Sequence, residues 1–500
     1  MVVGTVLLLL LSFVGRVATA RHLSVEAFGD FNLGLSFAGL LSLVALFGLH
    51  QAVARSLAEN PDPAMRRRLI EWTAVVTAVM AALTSALVYF TAPWIAALFE
   101  PGNPSELTPV FQLFSVTVGL TLLCTFIASI FQGFEDTIPF AWINSAVQPA
   151  AFIVFLYLFF AFHLTLTAAL LAWVISNVVT FLALVVYAWR RLPQYLKDVP
   201  PAKNLPPGLL TLSLALWGVT TLVYVTGYVD TLILGAFRPE SQVGLYSAVL
   251  TLGRLILVGS GAVTYIFLPV SARLKGEGNI QAIRDSYVTT SRWTMIFTVP
   301  LFLVFALLPT DSVGAVFGAS YTPAAFALAI VSLSALVSVA FGPVNATLAG
   351  LAMTRPLLVA TAASAVSNVV LSFALIPPYG LLGAAIAWSV ARMVYPAAGA
   401  LALYRVHGVT PLRKSYTLPV AFSLVVGVPV FFAFSMLGLP YWVVYPLYFV
   451  GLLLVLTTIF ATRTVEEGDF VVLSLAESVL GRPLPRAKRL MEKFLIRPAA

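Results

Sequence analysis

Runs of about 20 apolar residues, separated by short polar stretches, recur along nearly the whole chain. That length matches the roughly 20 residues a helix needs to cross about 30 Å of hydrocarbon. A transmembrane barrel would instead show about ten-residue segments of strict alternation, which are absent, so the pattern predicts spanning helices. Six spans are expected at about 2–17, 31–50, 71–92, 110–131, 140–162 and 167–189. Six more follow at 209–237, 244–269, 293–308, 324–351, 357–376 and 381–404, and a last two at 418–437 and 441–461. The expectation is an all-α integral membrane protein of 14 transmembrane helices. It divides into a six-helix lobe over 1–189, a cytoplasmic linker over 190–207, a second six-helix lobe over 208–404, accessory helices 13 and 14 over 405–462, and a basic tail over 463–500. Ala18-Thr19-Ala20 looks superficially like a cleavage site, but the run before it lacks a basic leading region and carries Arg16 inside, so it reads as a span.

The charges sharpen this reading. If the amino terminus is cytoplasmic, 23 of the 28 Lys and Arg fall in inward loops and the tail, among them Arg66, Arg67, Arg68, Arg190, Arg191, Arg284 and Arg292. Only Arg21 and Arg238 fall in outward loops, which is the bias of the positive-inside rule and predicts both termini on the cytoplasmic side of the cell membrane. Sixty per cent hydrophobic and 10% charged residues, with a mean hydropathy of +0.98, leave no room for a soluble catalytic domain. The formal charge of +8 is spread over loops rather than gathered in one patch, which argues against nucleic acid as a partner. One cysteine, Cys124, excludes an internal disulfide, and His22, His50, His163 and His407 lack ligand spacing, so no metal or other cofactor is expected.

The two sets of six resemble each other at a shift of about 215 residues. Phe28-Gly29-Asp30-Phe31 meets Val243-Gly244-Leu245-Tyr246, and Ala168-Ala169-Leu170-Leu171-Ala172-Trp173 meets Gly383-Ala384-Ala385-Ile386-Ala387-Trp388. A shift of 217 brings Gly133, Thr137 and Pro139 onto Gly350, Thr354 and Pro356. A duplication of six spans, an even number, puts both copies in one orientation, related by an axis along the membrane normal with a cavity between them. Pro149, Pro300, Pro343 and Pro396 fall inside spans, where a missing N–H permits a bend.

Charges inside spans are costly and mark pathways or pairs. Asp230 reads as the single acid within spans, against Arg16, Arg254 and Arg392. A planar guanidinium suits bidentate binding of phosphate oxygens, so this excess points to an anionic phosphate or diphosphate headgroup held by Arg16, Arg254 and Arg392. Asp230 either positions Arg254 or carries a coupling ion, and an Asp230–Arg254 pair that only ties two helices together stays open. The tail run Arg486 to Arg497 interleaves basic and apolar residues, which suits either a segment lying on anionic membrane lipids or plain topological charge with no specific lipid role.

Ala20-Arg21-His22-Leu23-Ser24-Val25-Glu26-Ala27-Phe28-Gly29, Val243-Gly244-Leu245-Tyr246-Ser247-Ala248 and Ile376-Pro377-Pro378-Tyr379-Gly380-Leu381-Leu382-Gly383-Ala384-Ala385-Ile386-Ala387-Trp388 carry a resemblance. Over residues 1–462 the chain resembles the polysaccharide-biosynthesis oligosaccharide flippases of the multidrug/oligosaccharidyl-lipid/polysaccharide exporter superfamily, and its tail resembles those of archaeal members. The resemblance implies a transporter and not an enzyme, one that moves a polyprenyl- or dolichyl-linked (di)phosphate oligosaccharide to the outer leaflet by alternating access. It implies substrate-contacting arginines on the first and eighth spans, matched here by Arg16 and Arg254, whereas Arg392 lacks that support. The coupling source, H+, Na+ or the membrane potential, stays open. Two alternatives are a cation-coupled multidrug antiporter, expected to have twelve spans and an acid-rich cavity, and an integral-membrane enzyme acting on lipid-linked sugars, expected to carry a large charged outer loop.

Overall fold

In a computed structural model, residues 2–461 are described apart from 101, 163–164, 197–199, 439 and 441–442, together with 485. The described residues form helices and no strand. In order they are α1 (Val2–His22), α2 (Val25–Ala45), α3 (Leu49–Glu59), α4 (Pro63–Phe99) and α5 (Pro104–Gly133). A π-helical stretch, Pro139–Val147, leads into α6 (Gln148–Phe160), followed by α7 (Leu166–Tyr195), α8 (Leu209–Phe237), α9 (Glu240–Ile256) and α10 (Val258–Gly276). Then come α11 (Ile280–Leu307), α12 (Pro309–Phe317), a 3₁₀ turn at Ala319–Ala324, α13 (Ala325–Ala340), α14 (Val344–Gly350), α15 (Thr354–Tyr379), α16 (Leu381–His407), α17 (Lys414–Met436) and α18 (Val444–Ala461).

Among the described residues each expected span falls mostly on helix, and eleven helices are long and apolar enough to cross a membrane. The three expected spans outside that group are the first (α1), the eighth (α9 with α10) and the last (α18). The chain is a multi-pass membrane protein. A lipid environment explains why α4 leaves Leu83, Phe90 and Trp94 exposed along its length, since lipid tails are as apolar as these side chains.

Local signals set the helix boundaries, and two of them correct the sequence reading. The Ser24 hydroxyl accepts from the Ala27 N–H at 3.2 Å and starts α2 at Val25, not at residue 31. Asp30 therefore lies inside a candidate span, and Asp230 is not the single acid there. Asn279 caps α11 in the same way, accepting from the Ala282 N–H at 2.9 Å, so the polar run from residue 280 is helical. Arg292, expected in a loop, is instead 1% exposed and donates to the Ser415 carbonyl on α17 at 3.3 Å. The expected span 324–351 is interrupted at Gly342-Pro343. There Gly342 has φ +84° and a Cβ would lie 2.2 Å from the Ser291 hydroxyl, so only glycine fits. Of the prolines expected within spans, Pro300 and Pro396 do lie inside α11 and α16, Pro149 opens α6 after the π-helical stretch, and Pro343 sits at the break.

The chain separates into two compact units. Of the described residues, one takes those up to Ala248 and Asn368–Ala384; the other takes Val249–Ser367 and those from Ala385 on. In the first, α2 packs on α5 and α8, α4 on α5, and α6 on α7. The amphipathic α3 inserts Leu49, Val53 and Leu57 into a core with Leu69, Phe126 and Leu209. In the second, α11 packs against α10, α13, α17 and α18.

Within the first unit, α2 and α9 meet at a pair of glycines. A Cβ on Gly29 would lie 2.0 Å from the Glu240 carbonyl oxygen, and a Cβ on Gly244 would lie 2.1 Å from the Val25 carbonyl oxygen. Each glycine thus faces the carbonyl four residues before the other, a reciprocal contact that requires the absence of both side chains.

Candidate functional site

Arg16 and Asp230 belong to the first unit. Gly15 sets α1 close to α6, since a Cβ there would lie 3.1 Å from the Phe152 ring. One turn of the same helix presents Arg16, half-buried, whose Nη1 donates to Asn32 Oδ1 at 3.3 Å. Asn32 is held in turn by its own donation to the Phe28 carbonyl at 2.7 Å. The guanidinium is therefore aimed by a neutral amide of α2.

Asp230 is fully buried on α8. Its Oδ2 accepts a hydrogen bond from the Tyr246 phenol of α9, and its Oδ1 accepts from the Thr231 N–H at 2.9 Å. Tyr246, also fully buried, was not singled out by the sequence, although it ends the Val243–Tyr246 repeat motif. Removing a donor from a buried carboxylate costs about 1–3 kcal/mol, so Tyr246→Phe is expected to lower the melting temperature of the purified protein in detergent. An unchanged melting temperature would separate Tyr246 from the stability of Asp230.

Arg254 and Arg392 belong to the second unit, and the structure brings them together: Arg392 lies near enough to Arg254 to feel its charge. Arg254 is the basic residue in the last turn of α9, and it is exposed. Arg392 lies in the middle of α16, a candidate span, and its side chain keeps accessible surface although protein surrounds it densely. Its guanidinium lies 5.6 Å from the centre of the Trp388 ring, one turn earlier on the helix, which braces a cation without consuming its N–H donors. The α16 backbone is tied down on both sides here. Ser338 of α13 donates to the Arg392 carbonyl at 3.2 Å, and Ser364 of α15 donates to the Ala391 carbonyl at 2.7 Å. Two like charges held near one another favour a multiply charged anion. Among the described residues no group of three His, Cys, Asp or Glu side chains has the arrangement of a metal site.

Residues 1–275 match the family model described as "Polysaccharide biosynthesis protein". The chain is 25% identical over 164 residues to the probable low-salt glycan biosynthesis flippase Agl15 of Haloferax volcanii, which covers 33% of this chain and 35% of that protein. The match thus spans about a third of that relative's length. Among solved structures, the chain is similar to the lipid II flippase MurJ in an inward closed conformation, with a TM-score of 0.70, 15% identity, and coverage of 91% of this chain and 96% of that one. It is also similar to an inward-facing multidrug resistance MATE family transporter of the MOP superfamily, with a TM-score of 0.64, 16% identity, and coverage of 80% and 94%. The fold is the one these transporters share.

Proposed function

The chain belongs to the polysaccharide biosynthesis protein family, and we propose that it is a flippase carrying a lipid-linked oligosaccharide from the cytoplasmic to the outer leaflet by alternating access, in the assembly of a cell-surface glycan or glycoprotein. The observation that carries this reading is the pair of exposed guanidiniums, Arg254 and Arg392, braced in the second unit. The phosphate or diphosphate that joins sugar to lipid is the anionic part of such a substrate, and two planar forks match its oxygens. Arg16, aimed by Asn32, is proposed as a third contact. Asp230, bound by Tyr246, is proposed as a coupling or positioning residue.

The MATE-like fold equally admits a cation antiporter, but a cationic ligand needs acids where this chain places arginines. A competition experiment separates the two. Inorganic diphosphate is expected to raise the melting temperature of the purified protein and tetraphenylphosphonium to leave it unchanged; the opposite pattern would assign the site to cations.

Fourteen spans with both termini cytoplasmic, in a cell membrane, are proposed on the charge bias of the loops. A duplication of six spans is supported by the reciprocal Gly29–Gly244 contact, because copies related by a two-fold axis meet through equivalent residues. For the topology, cysteines replacing Ser105 and Lys414, both exposed, report opposite sides in a chain lacking the buried Cys124. An impermeant thiol reagent added to intact cells is expected to label position 105 and not 414, and the reverse would invert the orientation.

A further inference from the structure

A cavity of about 630 Å³ opens in the first unit, and none of the arginines of the proposed transport path lines it. Its wall is one face of α7, where Val185, Trp189 and Leu192 follow one another at helical spacing, continued by Leu196 just past the helix end, and Ile127 of α5 forms part of the lining. The polar element is Arg67, in the second turn of α4. We propose that this cavity binds one membrane phospholipid with an anionic headgroup, its phosphate on Arg67 and an acyl chain along the apolar face of α7.

Three features favour that occupant. The site lies at the ends of three candidate spans, α4, α5 and α7, that is, at the depth where headgroup gives way to hydrocarbon. Trp189 is 77% exposed there, the position at which tryptophan is enriched in membrane proteins. Further basic residues flank the lining along the chain: Arg66 and Arg68 stand beside Arg67 at the start of α4, and Arg190 and Arg191 follow Trp189 on α7. Arg67 does pair with Glu71 at 2.9 Å, but both side chains are well exposed, and such a pair is weak enough to be shared with a phosphate. Arg68 Nε is buried without a hydrogen-bond partner. Pro193, also in the lining, supplies no N–H to the Trp189 carbonyl one turn before it. The basic run Arg486 to Arg497 of the same chain has the charge of the residues flanking the lining and is disfavoured as occupant.

The test uses the full chain in phosphatidylcholine vesicles doped with phosphatidylglycerol or phosphatidylcholine brominated on the acyl chains. Quenching at the cavity is read as the difference between the parent protein and Trp189→Phe. Brominated phosphatidylglycerol is expected to quench Trp189 at about five-fold lower mole fraction than brominated phosphatidylcholine, the ratio expected of one arginine near an anionic headgroup. Arg67→Gln is expected to abolish that preference. Ala188→Phe, which fills the cavity and keeps every charge, is expected to lower quenching by both lipids, and covers the case of a poorly folded Arg67→Gln. Equal quenching by the two lipids in the parent, a preference that survives Arg67→Gln, or quenching unaffected by Ala188→Phe would each overturn the proposal.

Discussion

Replacing Arg254 by alanine is expected to weaken binding of a lipid-linked diphosphate by one to two powers of ten while leaving the folded yield unchanged or higher. A charge-assisted hydrogen bond contributes about 1.5–3 kcal/mol, and about 1.4 kcal/mol is a factor of ten in affinity. The second half of the expectation follows from the neighbour. Arg392 feels the like charge of Arg254, so removing either guanidinium relieves a repulsion. Arg254→Lys is expected to recover only part of the binding, because a point charge replaces a planar fork. The Arg254→Ala, Arg392→Ala double variant is expected to lose less than the sum of the two single losses, since both groups act on one anion. Binding and yield measured together distinguish this account from a structural one. If Arg254 only ties helices to Asp230, Arg254→Ala lowers the yield and adding Asp230→Asn restores both yield and activity.

The other large effect is expected at the glycine pair. Gly29→Ala places a methyl group 2.0 Å from a backbone carbonyl oxygen, and Gly244→Ala does so at 2.1 Å, where neither neighbour is a flexible side chain that can move aside. The α2 and α9 backbones must separate, and overpacking of this kind costs typically about 1–3 kcal/mol or more. Each variant is expected to lower the melting temperature clearly. The double variant is expected to fall by less than the sum, because one displacement relieves both clashes. Gly102→Ala, with open space around it, serves as the control and is expected to change nothing. Additive losses at 29 and 244 would show two independent sites and remove the reciprocal contact as support for duplication.

Much of the architecture was legible because hydrophobic run length is a strong signal. Helix α8 was expected at residues 209–237 and is found there to the residue. What the run length could not show was where an apolar stretch bends. The expected span 244–269 breaks at Leu257 just before the Gly259-Ser260-Gly261 stretch, and 324–351 breaks at Gly342-Pro343, both local backbone effects inside uniformly apolar sequence. Asp30 and Arg292 were misplaced for the opposite reason: polar caps, Ser24 and Asn279, extend helices through residues that hydropathy assigns to loops. Asp30 Oδ1 is buried with no hydrogen-bond partner, a cost that hydropathy alone did not flag.

The candidate site was legible in its charges and not in its supports. Arg16, Asp230, Arg254 and Arg392 stand out as charges in apolar runs. Asn32 and Tyr246 do not, because an amide and a phenol are ordinary residues in a membrane helix until their partners are seen. Trp388 was readable in principle: it lies four residues before Arg392, the spacing that puts two side chains on one helical face.

The central claim is transport of an anionic lipid-linked sugar through a site built on Arg254 and Arg392. Its most direct test is flipping of a fluorescent, short-chain polyprenyl diphosphate oligosaccharide in vesicles holding the purified protein, read as the fraction that becomes accessible to an impermeant quencher. The account predicts protein-dependent flipping that inorganic diphosphate inhibits and that Arg254→Ala and Arg392→Ala each reduce at least ten-fold at normal folded yield. Flipping at the parental rate in the folded double variant would contradict it.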